Sequence, residues 1–214
     1  MPSTGHLAAA AHGHAAFLFV GDHLALDLLN TVVGQGDGRR ELLADAASLK
    51  EWVAQASWEA PEVQALLAGS HRLGEWTAAL EQVRDLRELG RELVIAWRNG
   101  SVTPPMLDRL HVRMRQVQYR HELQWHGHEL GLRWVPELPG PQSMAGLLAV
   151  AVGELLAHAR PQSVKSCVGA GCSLTFLDRT KGQRRLFCSA ALCGNRAKVA
   201  AFRARQRGTA NNQG

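Results

Sequence analysis

The chain has 214 residues, 46% hydrophobic and 20% charged, with a net charge of +5. This balance supports a buried core, and the length suits one domain of ordinary size with at most a small appendage, which excludes a large multidomain machine and a wholly solvated chain. The longest uncharged apolar run, Met144 to Gly153, is about half the ~20 residues that a bilayer span requires, so no membrane partner is expected.

Residues 1–16 lack the basic opening of a secretory signal and are too weakly apolar for its core, so a disordered tail on a cytoplasmic protein is expected. Phe17 to Val20 reads as a short strand or an apolar entry segment, Asp22 as the cap of a helix through Leu29, and Asn30-Thr31 as the end of that helix. Gly34 to Gly38 is a loop without the Lys-Ser/Thr that follows a phosphate-binding turn. Further helices are expected around 43–56, 76–98, 104–118 and 143–159. The second of these sets Leu80, Val83, Leu86, Leu93 and Trp97 near helical spacing, which marks core residues. Leu123 to Trp134 alternates about Gly127 as a β-hairpin. His121, His126 and His128 read as its turn and surface residues, because no carboxylate or Cys at ligand spacing completes a metal set. Pro136 to Gln142 connects the hairpin to the last helix. There is no Gly-x-Ser-x-Gly or His-Glu-x-x-His, and no enzyme is expected.

The charge changes abruptly near Pro161. From Arg160 onward eleven Lys or Arg face a single acid, Asp178, while residues 1–159 carry thirteen basic and eighteen acidic residues. A strongly basic quarter on an acidic body points to a polyanion partner. All four cysteines lie in that quarter, as Cys167-x4-Cys172 and Cys188-x4-Cys193. Two close pairs at matched spacing suit one tetrahedral Zn2+ bound by Cys167, Cys172, Cys188 and Cys193, with thiolate–zinc bonds of ~2.3 Å. Four thiolates leave no position open for water or substrate, so the zinc is read as structural. Two disulfides are the competing reading, but nothing in the sequence indicates an oxidising compartment.

These cysteines, together with Leu174 to Asp178, Arg184 to Ser189 and the tetrapeptide Cys193-Gly194-Asn195-Arg196, closely resemble the CGNR zinc-finger family. In that family the finger ends a chain whose N-terminal part belongs to a stress-induced transcription regulator domain, also called ABATE. The opening Phe19-Val20-Gly21-Asp22-His23 through Val32 resembles the start of that domain. The resemblance implies a DNA-binding transcription regulator with a sensing N-terminal domain.

After Ser189 the chain is rich in helix formers up to Gly208. At helical spacing Leu192, Asn195, Val199 and Phe202 share one side, expected to pack, with Asn195 as a structural hydrogen-bonder. Arg196, Arg203 and Arg207 flank that stripe on one side, Lys198 and Arg205 on the other, with Arg184 and Arg185 just before Cys188. Duplex DNA is the partner these seven cations suit, because a cationic helix on a metal-held base can enter a groove and neutralise phosphates. Single-stranded RNA suits them less, since the tryptophans and Tyr119 all precede Arg160. The alternatives are a zinc-stapled module docking an acidic protein partner and an enzyme housed in the acidic body.

The sequence therefore reads as mainly α with a small β-hairpin (α+β). A disordered tail spans 1–16, a helical domain sensing a small-molecule ligand or partner spans 17–160, and the Zn(Cys)4 finger with its basic helix spans 161–208. Residues 209–214 form a second disordered tail. A lone finger is a weak specific reader, so a homodimer is expected if regulation is its task.

Overall fold

The computed structural model describes residues 17–34 and 36–210, so the N-terminal tail and residues 211–214 lie outside the described residues. Among the described residues the elements are α1 (Leu24–Leu29), β1 (Val32–Val33), β2 (Arg40–Glu41), α2 (Ala46–Gln55), α3 (Glu62–Ala68), α4 (Leu73–Arg98), α5 (Pro104–Met114), β3 (Gln118–His126), β4 (Glu129–Glu137), α6 (Ser143–His158), β5 (Val164–Ser166), β6 (Thr175–Leu177) and α7 (Asn195–Ala210). The strands pair antiparallel as β1–β2, β3–β4 and β5–β6. This is the α+β architecture expected from the sequence. No helix among the described residues is long and apolar enough to cross a membrane.

The core forms around α6, whose Met144, Ala145, Leu148, Ala149, Val152 and Leu155 are all buried. It packs against α4, α5 and α1. Such a helix, apolar on nearly every side, has to be central because it has no polar face to offer water. Gly146 lets it approach the turn between α5 and β3, where a Cβ would stand 2.6 Å from the Val117 nitrogen. Leu80, Val83, Leu86 and Leu93 of α4 are buried at the expected positions, and Trp97 is half-buried.

Several boundaries differ from the sequence reading, each for a local reason. Asp22 does not cap α1. It sits at φ 54, and His23 caps instead, its Nδ1 accepting from the Ala25 N–H at 3.2 Å. Residues 17–20 form no strand. The second helix begins at Ala46 because Asp45 and Ser48 form a reciprocal capping box, with bonds of 2.8 and 2.9 Å. α3 lies outside the expected helices: it is about two turns after Pro61 and buries only Val63 and Leu66. α5 stops at Met114, because the chain enters β3 by Gln118 instead of continuing as helix. At the far end α7 continues through Gly208 to Ala210, beyond the expected stop.

The change of charge near Pro161 is not a break in packing. Phe17 and Phe19 pack on the helical core, whereas Leu18 and Val20 pack with Phe176, Leu174 and the cysteines. The segment is thus held between two apolar clusters, alternating between them residue by residue. Leu177 and Val164 of the basic quarter belong to the helical core. The Asn30 side chain, 3% exposed, both donates to the Thr175 carbonyl and accepts from the Thr175 N–H, each at 2.9 Å. The Leu177 N–H donates to the Gly21 carbonyl at 2.8 Å. Asn30 thus does more than end its helix: its amide acts as a short extra strand for β6.

Candidate metal centre and basic face

β5 and β6 set the first cysteine pair. The Cys167 N–H donates to the Leu174 carbonyl at 2.9 Å, closing a loop that returns Cys172 beside it through Gly169 and Gly171. The second pair is formed by a wide turn over Ala190–Gly194, begun by Ser189 and continuous with α7. The four Sγ atoms lie within 4.8 Å of one another. The Sγ separations are 3.9 Å for Cys172–Cys188 and 3.6 Å for Cys188–Cys193. Thiolates bound at ~2.3 Å in a tetrahedron stand ~3.8 Å apart, so the cluster has the size of a zinc site. All four cysteines are free, and the separations are far from the ~2.05 Å of a disulfide.

The electrostatics of the cluster fit a cation at its centre. Burial pushes the Cys167 thiol up, but backbone N–H groups of Cys188 and Gly169, at 3.3 and 3.4 Å, outweigh it and bring its pKa down to about 7. Burial and the neighbouring sulfurs push Cys172 up to about 11 and Cys188 upward as well. Four thiolates cannot share this space without a compensating charge, which a divalent ion held by Cys167, Cys172, Cys188 and Cys193 would supply. A Cβ at Gly169 would stand 3.0 Å from the Cys193 sulfur, so glycine leaves that sulfur free to face inward.

The seven cations assigned to nucleic acid from the sequence divide into different roles. Arg184, Lys198, Arg203 and Arg205 are exposed. Arg185 differs from the others: its guanidinium is a brace, stacked 4.3 Å from the Phe176 ring centroid, paired with Asp22, and bonded to the carbonyls of Phe187 and Cys188. Its side chain stays 25% exposed, and turning to a phosphate would give up some of these bonds. Arg196 is exposed but donates from one nitrogen to the Cys193 sulfur at 3.0 Å, so part of its charge is committed to the cysteine cluster. The side chain of Arg207 lies outside the described residues.

The apolar stripe of α7 is corrected. Val199 and Phe202 are 48% and 55% exposed, and Asn195 is exposed too, so among the described residues that side of α7 is not packed. The structure adds Arg40, which sequence position alone assigned to the acidic body. It lines a groove of about 550 Å³ together with Arg196, Cys172 and Cys193. Arg40 is carried there by β2, which is anchored to α4 through a bidentate pair of Glu41 with the buried Arg87 at 2.7 and 2.6 Å.

Beside α1 lies a cavity of about 560 Å³, walled by Phe19, Trp58, Tyr119 and Trp134, by the acids Asp27 and Glu154 and by Arg133 and Arg179. Burial and Arg179 keep the His23 imidazole below its ordinary pKa, and burial and Glu154 raise the Tyr119 phenol. Burial lifts Asp27 from 3.8 to about 6, although its Oδ1 accepts from the Gly21 N–H at 2.8 Å. The folded protein therefore holds this proton to higher pH than the unfolded chain does, so the group costs stability above pH 6 and ceases to do so as pH falls towards 4. Asp27→Asn is expected to stabilise the protein by on the order of 1–2 kcal/mol at pH 8 and by almost nothing at pH 4, read from urea melts. An equal gain at both pH values would locate the wild-type titration elsewhere. His121 is stacked edge-on against Trp134 at 4.2 Å, His128 is exposed, and the His126 side chain lies outside the described residues.

Two families match the chain. Residues 22–159 match the ABATE domain, described as "Putative stress-induced transcription regulator", and residues 163–206 match the CGNR zinc finger. No curated protein matches it.

Proposed function

The chain belongs to the ABATE family and carries a C-terminal CGNR zinc finger, and from that premise we propose that it is a cytoplasmic regulator that binds duplex DNA. In this reading one structural Zn2+ on Cys167, Cys172, Cys188 and Cys193 fixes the base of α7, and the protein is a binding protein instead of an enzyme. The observation that carries it is the disposition of α7: every residue from Lys198 to Gln206 is exposed, on a finger cross-braced by Arg185 and Asn30. A cationic helix with a rigid base loses little freedom on meeting phosphates, and Arg184, Lys198, Arg203 and Arg205 are the contacts it offers. Arg40 and Arg196 extend the positive surface across the groove beside the cysteines.

Sensing falls to the aromatic cavity, whose acids Asp27 and Glu154 stand with Arg133 and Arg179 and suit a small molecule that joins an apolar ring to polar groups of either charge. Its wall is tied to the finger. Arg179 donates to the Asp22 carbonyl at 2.8 Å, and the Asp22 carboxylate holds Arg185, which in turn holds the Cys188 carbonyl. A ligand that shifts Asp22 would therefore disturb the brace beneath the metal centre.

The test is binding of labelled duplex DNA over a range of salt by the zinc-loaded chain and by Arg184→Ala/Lys198→Ala/Arg203→Ala. The variant is expected to keep its zinc and to lose about 0.9 in salt slope for each phosphate contact removed. Negligible binding by zinc-loaded wild type at moderate salt would reject the DNA reading. One observation favours a second reading, docking onto an acidic protein: Val199 and Phe202 are exposed apolar groups that phosphate contact does not need.

A further inference from the structure

The β3–β4 hairpin is inverted relative to an ordinary half-buried hairpin. Cross-strand partners share a face, and the pairs His121–Trp134, Leu123–Leu132 and Trp125–Leu130 place the large apolar side chains together. That face is the open one: Leu123 is 70% exposed, Trp125 69%, Leu130 57%, Leu132 59% and Trp134 63%. The opposite face, with Glu122, Gln124 and Arg133, is turned towards the body, where Arg133 bonds Glu62 of α3 at 2.6 Å. Alternation normally turns the apolar residues to the core and the polar ones to water. Here the core side is already taken by a polar contact, and two tryptophans and three leucines remain in water.

We propose that this face is the interface of a homodimer, in which two copies of the chain pack hairpin against hairpin about a two-fold axis. Three features select a second copy as the occupant. The face carries no formal charge from His121 to Trp125 on β3 or from Leu130 to Trp134 on β4 among its outward residues, so it meets its own image without repulsion. An isologous interface requires that self-complementarity. Large aromatic side chains contribute ~150–250 Å² each, so the face offers on the order of 500–600 Å² per copy and a dimer would bury about 1,000–1,200 Å², above the ~1,000 Å² that a biological interface needs and in the range of weak, reversible dimers. The chain's own residues 1–16 contain only Met1 and Leu7 as large apolar residues, a poor match for five.

Dimerisation through this face does not require DNA binding, although two fingers in one particle would double the phosphate contacts. Trp134 also walls the cavity beside α1, so the dimer interface would adjoin that cavity.

Sedimentation of the full-length, zinc-loaded chain tests it. Wild type is expected at twice the monomer mass. Trp125→Glu/Leu132→Glu is expected at the monomer mass, with an unchanged far-UV circular dichroism spectrum because both positions are exposed. A monomeric wild type at every attainable concentration, or a variant that stays dimeric, would overturn the proposal. If wild type is monomeric and deletion of residues 1–16 makes it self-associate, the face belongs to the chain's own N-terminal segment. Capture of a monomeric wild type by zwitterionic lipid vesicles would assign it to a membrane surface instead.

Discussion

Stripping the metal with a chelator, or replacing Cys188 with Ser, is expected to melt the segment from Cys167 to Gly194 while most of the helical body stays folded. Among the described residues, the apolar cluster of the finger has only Leu174 and Phe176 as buried large residues besides the cysteines, with Phe187, Leu18, Val20 and Val33 leaning on it. That is too little apolar surface to order a loop-rich segment by itself. Structural zinc contributes an apparent ~10–16 kcal/mol in small zinc peptides, comparable with or larger than the ~5–15 kcal/mol net stability of a whole domain. Without the ion the four sulfurs, three of them buried, also lose the charge that lets them sit within 4.8 Å of one another. The body keeps its own core around Trp52, Leu86 and Leu148. All six tryptophans precede Arg160, so tryptophan emission should change little while trypsin gains access to Lys181, Arg184 and Arg185. Zinc content measured alongside completes the test. A finger that resists trypsin after complete metal removal would mean that its contacts with residues 17–33 suffice to fold it.

Asn30→Ala should have the second-largest effect. It leaves both the N–H and the carbonyl of Thr175 without the partner that holds them at 2.9 Å. An unsatisfied buried group costs ~1–3 kcal/mol, so a loss of about 2–5 kcal/mol is expected in a urea melt. Hydrogen exchange should locate the effect, with protection falling at Thr175 and Leu177 more than in α4 or α6. Asn30→Asp separates geometry from charge: it keeps the acceptor for the Thr175 N–H but turns a carboxylate towards the Thr175 carbonyl, so it should be at least as damaging. A change below about 0.5 kcal/mol for Asn30→Ala would show that water replaces the amide and that the remaining contacts, such as the Leu177 N–H with the Gly21 carbonyl, suffice to hold the finger.

Residues 24–29 and the four longer helices of the body were readable because their signals are local. The spacing of Leu80, Val83, Leu86 and Leu93 along α4, and the apolar run of α6, each follow from neighbours on one helix. The existence of the hairpin was readable for the same reason. Which of its faces meets water was not, since a period of two assigns residues to faces but gives no direction to either. The short α3 carried too few periodic positions to stand out, and its Glu62 is what turns the polar face of the hairpin inward.

The candidate site shows the same division between neighbouring residues. Arg184 and Arg185 are adjacent and chemically identical, yet one is exposed and the other is half-buried and tied to Asp22, Phe176 and Cys188. Arg196 lies one helical turn from Cys193, a spacing that could have suggested its bond to the sulfur. Arg40 offered no such signal, because its distance from the cysteines along the chain hides its place beside them.

By itself, then, the sequence determined what short-range rules can express: helical periodicity, strand alternation, a basic quarter, and four thiols spaced for one tetrahedral ion. The tertiary structure alone decided which charges remain available and which apolar groups stay in water. Asn30 reaches Thr175 across 145 residues, and Arg185 reaches Asp22 across 163. Whether a polar side chain is a brace or a contact depends on which distant groups desolvate it and complete its hydrogen bonds, and only folding brings those groups together.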